Sequence, residues 1–176
     1  MVADLVKAYA DDGPVVLYGQ SMGSAAVLRA VGVLGAAADA LVLENLYDRL
    51  VTTVGHRFEA MGLPAQPGAA LLVFWGGVEL GFNGFQMNPV DFAANINTPT
   101  LLLTGEDDPR VHLAEVESIR ASLAGPSELV VLPSAGHVGL HSADAALWRS
   151  SVTSFLDRVA PNVLPVSNPR TRLSTP

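Results

Sequence analysis

Residues 15–23 read V-V-L-Y-G-Q-S-M-G, an apolar run that ends in the pattern G-x-S-x-G. The run has the composition of a buried strand, and residues 22–30, M-G-S-A-A-V-L-R-A, favour a helix. A strand, a tight turn and a helix in this order form a nucleophile elbow, in which a strained turn exposes the serine. The order therefore predicts that Ser21 is a nucleophile. The alternative is an ordinary glycine-rich turn in which this serine has no chemical role.

The two glycines of the pattern fit the same interpretation. An elbow brings the end of a strand close to the start of a helix, which leaves little room beside the serine. We therefore expect that a side chain at position 19 or at position 23 would collide with the neighbouring backbone.

The composition is that of a single globular domain. The chain has 176 residues, of which 49% are hydrophobic and 15% charged, and a chain of this length usually forms one domain. The formal net charge is −7, so the basic surface that binds nucleic acid or anionic lipid is lacking. Cysteine is absent, which excludes disulfides, thiolate metal sites and cysteine nucleophiles. With no signal-peptide pattern and no apolar run of membrane-spanning length, we expect a soluble, cytoplasmic protein, unless an upstream segment carries a targeting signal.

Apolar strand-like runs alternate with helical stretches along the chain. We predict strands over 15–18, 41–44, 100–104 and 128–132, and helices over 2–10, 22–34, 112–124 and 143–159. None of these strands alternates polar with apolar residues, which is typical of strands that helices cover on both faces. The pattern predicts an α/β fold with three layers, α/β/α, around a mostly parallel sheet of about four strands.

Residues 45–99 form a long insertion with helical character and several Gly and Pro breaks. The insertion is too long for a plain crossover, and such segments are usually functional. Its large apolar side chains are expected mainly in a core, with the wall of a substrate pocket as the less favoured alternative; they are Phe74, Trp75, Phe82, Phe85 and Met87. Residues 160–176 are rich in proline and polar side chains without periodicity, so we expect a disordered tail.

Two loops carry the partners that a serine nucleophile needs, a base within hydrogen-bond reach and a carboxylate that orients it. Residues 105–111, G-E-D-D-P-R-V, follow the third predicted strand, and residues 133–140, P-S-A-G-H-V-G-L, follow the fourth. The carboxyl ends of parallel strands share one edge of a sheet, so both loops are expected beside Ser21. The chain order of serine, acid and histidine is the order that the elbow motif predicts. His137 is then the expected base, and Asp107 and Asp108 are both candidate acids.

The chain resembles the C-terminal part of an α/β-hydrolase, of the serine-aminopeptidase-like and prolyl-oligopeptidase-like esterase branch. The matching stretches are G-Q-S-M-G-S-A-A (19–26), N-T-P-T-L-L-L-T-G-E-D-D-P-R-V (97–111) and L-P-S-A-G-H (132–137). The resemblance implies that Asp108 is the acid, because the family pattern G-E-x-D-P-x-V has it three residues after the glycine. The pattern S-A-G-H likewise places the base at His137. The resemblance also implies a truncated hydrolase domain over 1–159, in which 45–99 is a helical cap-like insertion.

The remaining polar residues favour structural roles. Glu106 is expected to face solvent. The other histidines are expected at helix ends or on the surface; they are His56, His112 and His141. A cluster of acids with His112 at 106–112 suggests a metal site, but no compact ligand spacing matches, so we expect no metal. No cofactor is implied.

These residues predict a serine hydrolase that transfers an acyl group to water through Ser21, His137 and Asp108. The backbone N–H of Met22, the residue after the nucleophile, is expected to be one oxyanion donor. Esterase, thioesterase and peptidase activities all remain open. An uncharged acyl ester is the favoured substrate, because the chain lacks a basic patch near the motifs and its insertion is apolar.

The family fold has several strands before the elbow, and an H-G-G-like loop that gives the second oxyanion donor. Here residues 15–18 are instead expected at a sheet edge, with unpaired backbone and an uncovered apolar flank at Val15, Val16 and Leu17. Self-association through this strand is therefore expected. The alternative function is an inactive remnant of a hydrolase that acts, if at all, as an interaction module.

Overall fold

A computed structural model describes residues 2–9 and 13–159 of the chain. The tail predicted at 160–176 lies outside these residues and stays a prediction. The described part is an α/β fold with three layers, in which helices cover both faces of a parallel sheet, and this confirms the predicted fold class. No helix among the described residues has the length and apolar character needed to cross a bilayer.

Four parallel strands form the sheet, in the order β1-β2-β3-β4. The strands are β1 (Val16–Gln20), β2 (Ala40–Glu44), β3 (Thr100–Gly105) and β4 (Ser127–Leu132). Each lies where the sequence predicts a strand, although β1 begins one residue late and continues into the elbow. The register pairs Gln20 with Glu44 and Gly105 with Leu132. The loops that follow these strand ends therefore meet at one edge of the sheet.

The helices of the described residues are α1 (Val2–Tyr9), α2 (Met22–Gly32), α3 (Leu50–Ala60), α4 (Gly68–Leu80), α5 (Pro89–Ala93), α6 (Leu113–Ser122), α7 (Leu140–Ala143) and α8 (Ala145–Val159). The single helix predicted over 143–159 is thus preceded by a short, separate α7. Asp144 divides the two helices because its backbone is extended and its carboxylate accepts hydrogen bonds from the N–H groups of Ala146 and Leu147. This carboxylate caps the start of α8.

The core lies on both faces of β2 and β3, whose residues are all buried. On one face Leu41, Leu43 and Leu102 pack against side chains of α2, α5 and α6. On the other face Val42 and Leu101 pack against α7 and α8. Because successive side chains of a strand point to opposite faces, burial on both sides requires an unbroken apolar run. This is why β2 and β3 are recognisable in the sequence without an alternating pattern.

Helix α4 of the insertion exposes most of its apolar side chains. Helix α4 packs against α3 through a narrow face of small side chains centred on Ala69 and Val73. Its other faces point outward, so the expected core position of its aromatic residues is wrong: Phe74 is 50% exposed and Trp75 is 63% exposed. The aromatic side chains that line an open cavity of about 530 Å³ in this region are Phe74, Phe82 and Phe85.

Strand β1 lies at the edge of the sheet, where β2 is its only partner among the described strands. Its apolar flank is covered in part, since Val15 and Leu17 pack against Val6 of α1 and Ala30 of α2. The edge position agrees with the sequence, but the flank is less bare than expected. The Tyr18 side chain remains exposed.

Candidate active site

The turn between β1 and α2 holds Ser21 in a strained conformation. The backbone of Ser21 has φ 51° and ψ −113°, a combination that residues with a Cβ rarely adopt. Its N–H donates to the backbone oxygen of Glu44 at 2.8 Å, which anchors the turn to the neighbouring strand. The chain is therefore held in a sharp reversal that directs the serine away from the strand.

The two glycines of the elbow differ in what surrounds them. A Cβ on Gly19 would come within 2.6 Å of the Ser24 nitrogen and 2.7 Å of the Gly23 oxygen, so only glycine fits there without movement. A Cβ on Gly23 would meet nothing within 4 Å. The expectation of a collision is correct at position 19 and wrong at position 23, because position 23 faces open space in the first turn of α2.

The loop after β3 buries one of its three consecutive acids. Asp108 is 5% exposed, and its Oδ1 accepts hydrogen bonds from the N–H groups of Arg110 at 2.8 Å and Val111 at 3.1 Å. Glu106 and Asp107 are exposed. The burial and the two backbone donors fix the Asp108 carboxylate in one orientation, with Oδ2 left for another partner.

The loop after β4 supplies that partner. His137 Nδ1 lies 2.8 Å from Asp108 Oδ2, and His137 Nε2 lies 3.1 Å from Ser21 Oγ. A carboxylate can only accept, so Nδ1 carries the proton and Nε2 accepts from the serine hydroxyl. The structure thus brings Ser21, His137 and Asp108 into one line of hydrogen bonds, while Asp107 stays outside it. This arrangement is able to remove the serine proton and stabilise the resulting imidazolium.

The start of α2 lies directly after the serine. The N–H of Met22 occupies the first helical position, where no intrahelical acceptor is available. Such a donor, at the positive end of a helix, suits an oxygen that gains negative charge. The Sδ of Met22 accepts a hydrogen bond from Tyr47 Oη at 3.3 Å. Burial raises the pKa of Tyr47 to about 12, against the opposing charge of Arg57, so the hydroxyl stays neutral.

A second polar cluster joins the insertion to the acid loop. His56 Nδ1 of α3 lies 3.1 Å from the Arg110 oxygen and 3.3 Å from Glu115 Oε1. The His56 ring also stacks on His112, with ring centroids 4.0 Å apart. His56 lies inside α3, away from its ends, and only 14% of its side chain is exposed, so the expectation of a helix-end or surface position is wrong. His112 caps the start of α6, as a helix-end histidine should.

His56, His112 and Glu115 are the described residues that offer metal-type ligand atoms close together. His56 Nδ1 faces two acceptors and therefore carries the ring hydrogen, so only Nε2 of this ring keeps a lone pair. The Glu115 carboxylate is also occupied, since it accepts from the backbone N–H groups of His112 and Asp48. The cluster satisfies itself with hydrogen bonds, and its role here is to tie α3 to the acid loop.

Sequence reasoning missed two buried residues at the end of β2, Glu44 and Asn45. Both contact the loops that carry Ser21, Asp108 or His137. Their position was a usable signal, because polar residues at the carboxyl end of a parallel strand lie at the edge where ligands bind.

The sequence model of the prolyl oligopeptidase family matches residues 74–162, just over half of the chain. The chain belongs to the prolyl oligopeptidase family. The matched segment includes the acid loop and the base loop that the geometry places beside Ser21. Membership of this α/β-hydrolase family indicates an enzyme of the hydrolase type. Among curated proteins, no sequence matches the chain.

Solved structures share the fold at low sequence identity. An esterase of Pyrococcus furiosus has a TM-score of 0.67 and 22% identity, over 89% of this chain and 60% of the esterase. A protein described as a non-heme bromoperoxidase of Mycobacterium tuberculosis has a TM-score of 0.62 and 17% identity, over 90% of this chain and 72% of the other. A puromycin hydrolase has a TM-score of 0.67 and 16% identity, over 93% of this chain and 26% of the hydrolase. The chain thus spans from about a quarter to under three quarters of these relatives.

Proposed function

We propose that this protein is a serine hydrolase that cleaves carboxylic esters through Ser21, His137 and Asp108. The observation that carries the proposal is the unbroken hydrogen-bond line from Ser21 Oγ to His137 at 3.1 Å and from His137 to Asp108 at 2.8 Å. The strained backbone of Ser21 and the burial of Asp108 support the same reading. Strained backbone is common at reactive centres, and it persists only where the surrounding structure maintains it.

The proposed reaction proceeds in two steps. His137 Nε2 takes the Ser21 proton as the serine oxygen attacks the ester carbonyl, and the Met22 N–H stabilises the oxyanion that forms. His137 then gives the proton to the leaving alcohol, and the acyl group stays on Ser21. A water molecule, deprotonated by the same histidine, releases the acid and restores the serine. Asp108 keeps the histidine in the right tautomer throughout.

The charge of the protein and the apolar surface of the insertion favour an uncharged substrate. The protein is acidic, with a formal net charge of −7, which disfavours anionic substrates such as phosphate esters. The insertion presents exposed aromatic side chains and an open cavity of about 530 Å³, and apolar side chains of this kind suit an acyl chain. Thioesters and amides are further candidates for the same chemistry.

The first experiment tests the nucleophile. A fluorophosphonate probe should label the purified protein at Ser21, and Ser21→Ala should abolish labelling, while Ser118→Ala, on an exposed face of α6, should be labelled like the wild type. Hydrolysis of p-nitrophenyl esters should follow the same order. Labelling that survives in Ser21→Ala would contradict the assignment. A wild-type protein that neither reacts with the probe nor hydrolyses esters would favour the inactive interaction module instead.

The same assay separates the two acids. Asp108→Asn should lower kcat by about 10⁴, because the amide favours the wrong histidine tautomer. Asp107→Asn should have little effect, since that side chain is exposed and outside the hydrogen-bond line. Because the members of a triad act as a unit, His137→Ala should be as damaging as Ser21→Ala. Equal losses in the two asparagine variants would contradict the choice of Asp108.

A further inference from the structure

The loops that bear Ser21, Asp108 and His137 all meet at Glu44-Asn45, the two residues at the end of β2. The side chain of Asn45 spans two of these loops. Its Nδ2 donates to the backbone oxygen of Val138 at 2.9 Å, and its Oδ1 accepts from the N–H of Gly105 at 3.4 Å. Val138 follows His137 directly, and Gly105 is the last residue of β3, just before the loop that bears Asp108. Asn45 is fully buried, so water does not replace either bond.

The amide of Asn45 satisfies both loops at once. The Val138 oxygen needs a donor and the Gly105 nitrogen needs an acceptor, and the two ends of the asparagine amide offer one of each. An aspartate of the same shape would direct a carboxylate oxygen at the Val138 oxygen, which is repulsive. The chemistry of the two backbone partners therefore explains why this position carries asparagine.

The backbone of Asn45 also fits this role. Its φ is +46°, in the left-handed region, which asparagine tolerates better than most residues with a side chain. The Asn45 N–H donates to the backbone oxygen of Leu103 in β3 at 2.9 Å. The residue is thus held to β3 on its backbone side while its amide reaches the base loop.

Glu44, the preceding residue, completes the contact with the third loop. Its backbone oxygen accepts from the Ser21 N–H at 2.8 Å and from Ser24 Oγ at 2.9 Å. Its buried carboxylate accepts from the N–H of Leu140, just after the base loop, at 3.3 Å, and from Trp148 Nε1 of α8. The segment Glu44-Asn45 therefore holds the elbow, the acid loop and the base loop to one point of the sheet.

We propose that Asn45 is a positioning residue that sets the spacing between the loop bearing Asp108 and the loop bearing His137. This inference rests on the proposed function, because it concerns the same triad. Removal of the amide releases Val138, and with it the imidazole that must stay within reach of both Asp108 and Ser21. A small misplacement of a reacting group reduces the rate strongly, whereas substrate binding elsewhere is unaffected.

The test uses two variants of the full chain and one control. Asn45→Asp keeps the shape and loses the donor, and Asn45→Gly relaxes the positive φ and loses both side-chain bonds. Each should lower kcat for a p-nitrophenyl ester about 10- to 100-fold and change KM by less than about 2-fold. Asn95→Asp is the matched control: Asn95 Nδ2 also donates to a backbone oxygen, that of Gly32 at 3.3 Å, but at the C-terminal end of α2. It should leave kcat unchanged.

A second readout is independent of turnover. The hydrogen bond between His137 Nδ1 and Asp108 should give a downfield imidazole proton in the NMR spectrum of the wild type, and both Asn45 variants should lose or broaden it. A wild type that shows this proton but hydrolyses no ester would contradict the proposed function. The NMR comparison with the Asn45 variants would still test the positioning role. Folded Asn45 variants with wild-type kcat and an intact proton would overturn the inference. So would the failure of both variants to fold, since Asn45 would then be a requirement of the fold itself.

Discussion

At the scale of single residues, the elbow is the most constrained part of the site. A non-glycine residue in a strained region costs about 1–3 kcal/mol, and such a cost persists only where neighbouring structure enforces it. At Ser21 the enforcing contacts are its own N–H bond to the Glu44 oxygen and the close approach of Gly19 to the Ser24 nitrogen. The tight packing at Gly19 therefore contributes more to the conformation of Ser21 than Gly23 does.

This asymmetry leads to a prediction with a built-in control. Gly19→Ala should lower the free energy of unfolding by about 1–3 kcal/mol, because the added methyl group overlaps the Ser24 and Gly23 backbone. It should also slow labelling of Ser21 by a fluorophosphonate. Gly23→Ala adds the same methyl group where nothing lies within 4 Å, in the first turn of α2, and should leave stability unchanged or raise it slightly. Urea unfolding curves measure both effects, and equal destabilisation at the two positions would contradict this account.

The sequence predicted the residues that the geometry brings together, but not the residues that hold them. Ser21, Asp108 and His137 lie in short motifs, and the residues around each motif predict a turn or the end of a strand. Asn45 has no such local signal, because its partners Gly105 and Val138 lie 60 and 93 residues further along the chain. Only the register of the parallel strands makes them neighbours.

At the scale of elements, α3 of the insertion is tied to the acid loop and to α6. Thr53 Oγ1 donates to the Arg110 oxygen at 3.1 Å, and the buried Glu115 carboxylate accepts from the Asp48 N–H at 3.4 Å. Burial, together with the nearby charge of Asp48, raises the pKa of Glu115 from 4.5 to about 7. The other titratable groups that face Glu115 are His56 and His112.

The raised pKa of Glu115 predicts a pH dependence of stability. The folded state holds the Glu115 proton more tightly than the unfolded state, so binding of this proton adds to the free energy of unfolding. This stabilising contribution is complete below pH 4.5 and is lost as the pH rises through about 7. Glu115→Gln mimics the protonated acid. The free energy of unfolding of the wild type, relative to this variant, should therefore fall by on the order of 1–3 kcal/mol across that interval.

Glu117→Gln is the matched control for this measurement, because Glu117 is exposed on the same helix. Its stability should follow the wild type at every pH. Chemical unfolding between pH 4 and pH 8 provides the comparison. A wild type and a Glu115→Gln variant whose stabilities run parallel with pH would show that Glu115 is ionised normally in the folded protein.

Among the elements, periodicity predicted the sheet and its flanking helices but not the surface of the insertion. A strand covered on both faces must be apolar throughout, so β2 and β3 were visible in the sequence. Helix α4 is also apolar on every side, yet it buries only the face around Ala69 and Val73. Composition alone does not distinguish an apolar helix that is buried on all sides from one, like α4, that exposes Trp75 to solvent.

At the scale of the whole molecule, the sheet has an accessible edge. Strand β1 pairs only with β2 in the described residues, and Tyr18 on it is exposed. An edge strand presents free N–H and C=O groups, which favour pairing with another chain. We therefore propose self-association through β1.

This proposal predicts concentration-dependent association in analytical ultracentrifugation. Tyr18→Lys should weaken it, because a charged side chain on an edge strand disfavours pairing. Leu72→Lys, on the exposed surface of α4, is the comparison variant. A wild type that stays monomeric throughout, or association that Leu72→Lys removes and Tyr18→Lys does not, would contradict pairing at β1.

The two tryptophans of the chain stand in unlike surroundings. Trp148 donates its indole hydrogen to the buried carboxylate of Glu44, whereas Trp75 lies exposed on α4. Indole emission shifts with the charge and the water around the ring. The indole fluorescence of a Trp75→Phe protein would therefore come from Trp148 alone, which contacts the segment Glu44-Asn45 that holds the three loops. Because Trp148 contacts Glu44, its emission reports whether the contact at the end of β2 is intact, and the measurement needs no known substrate.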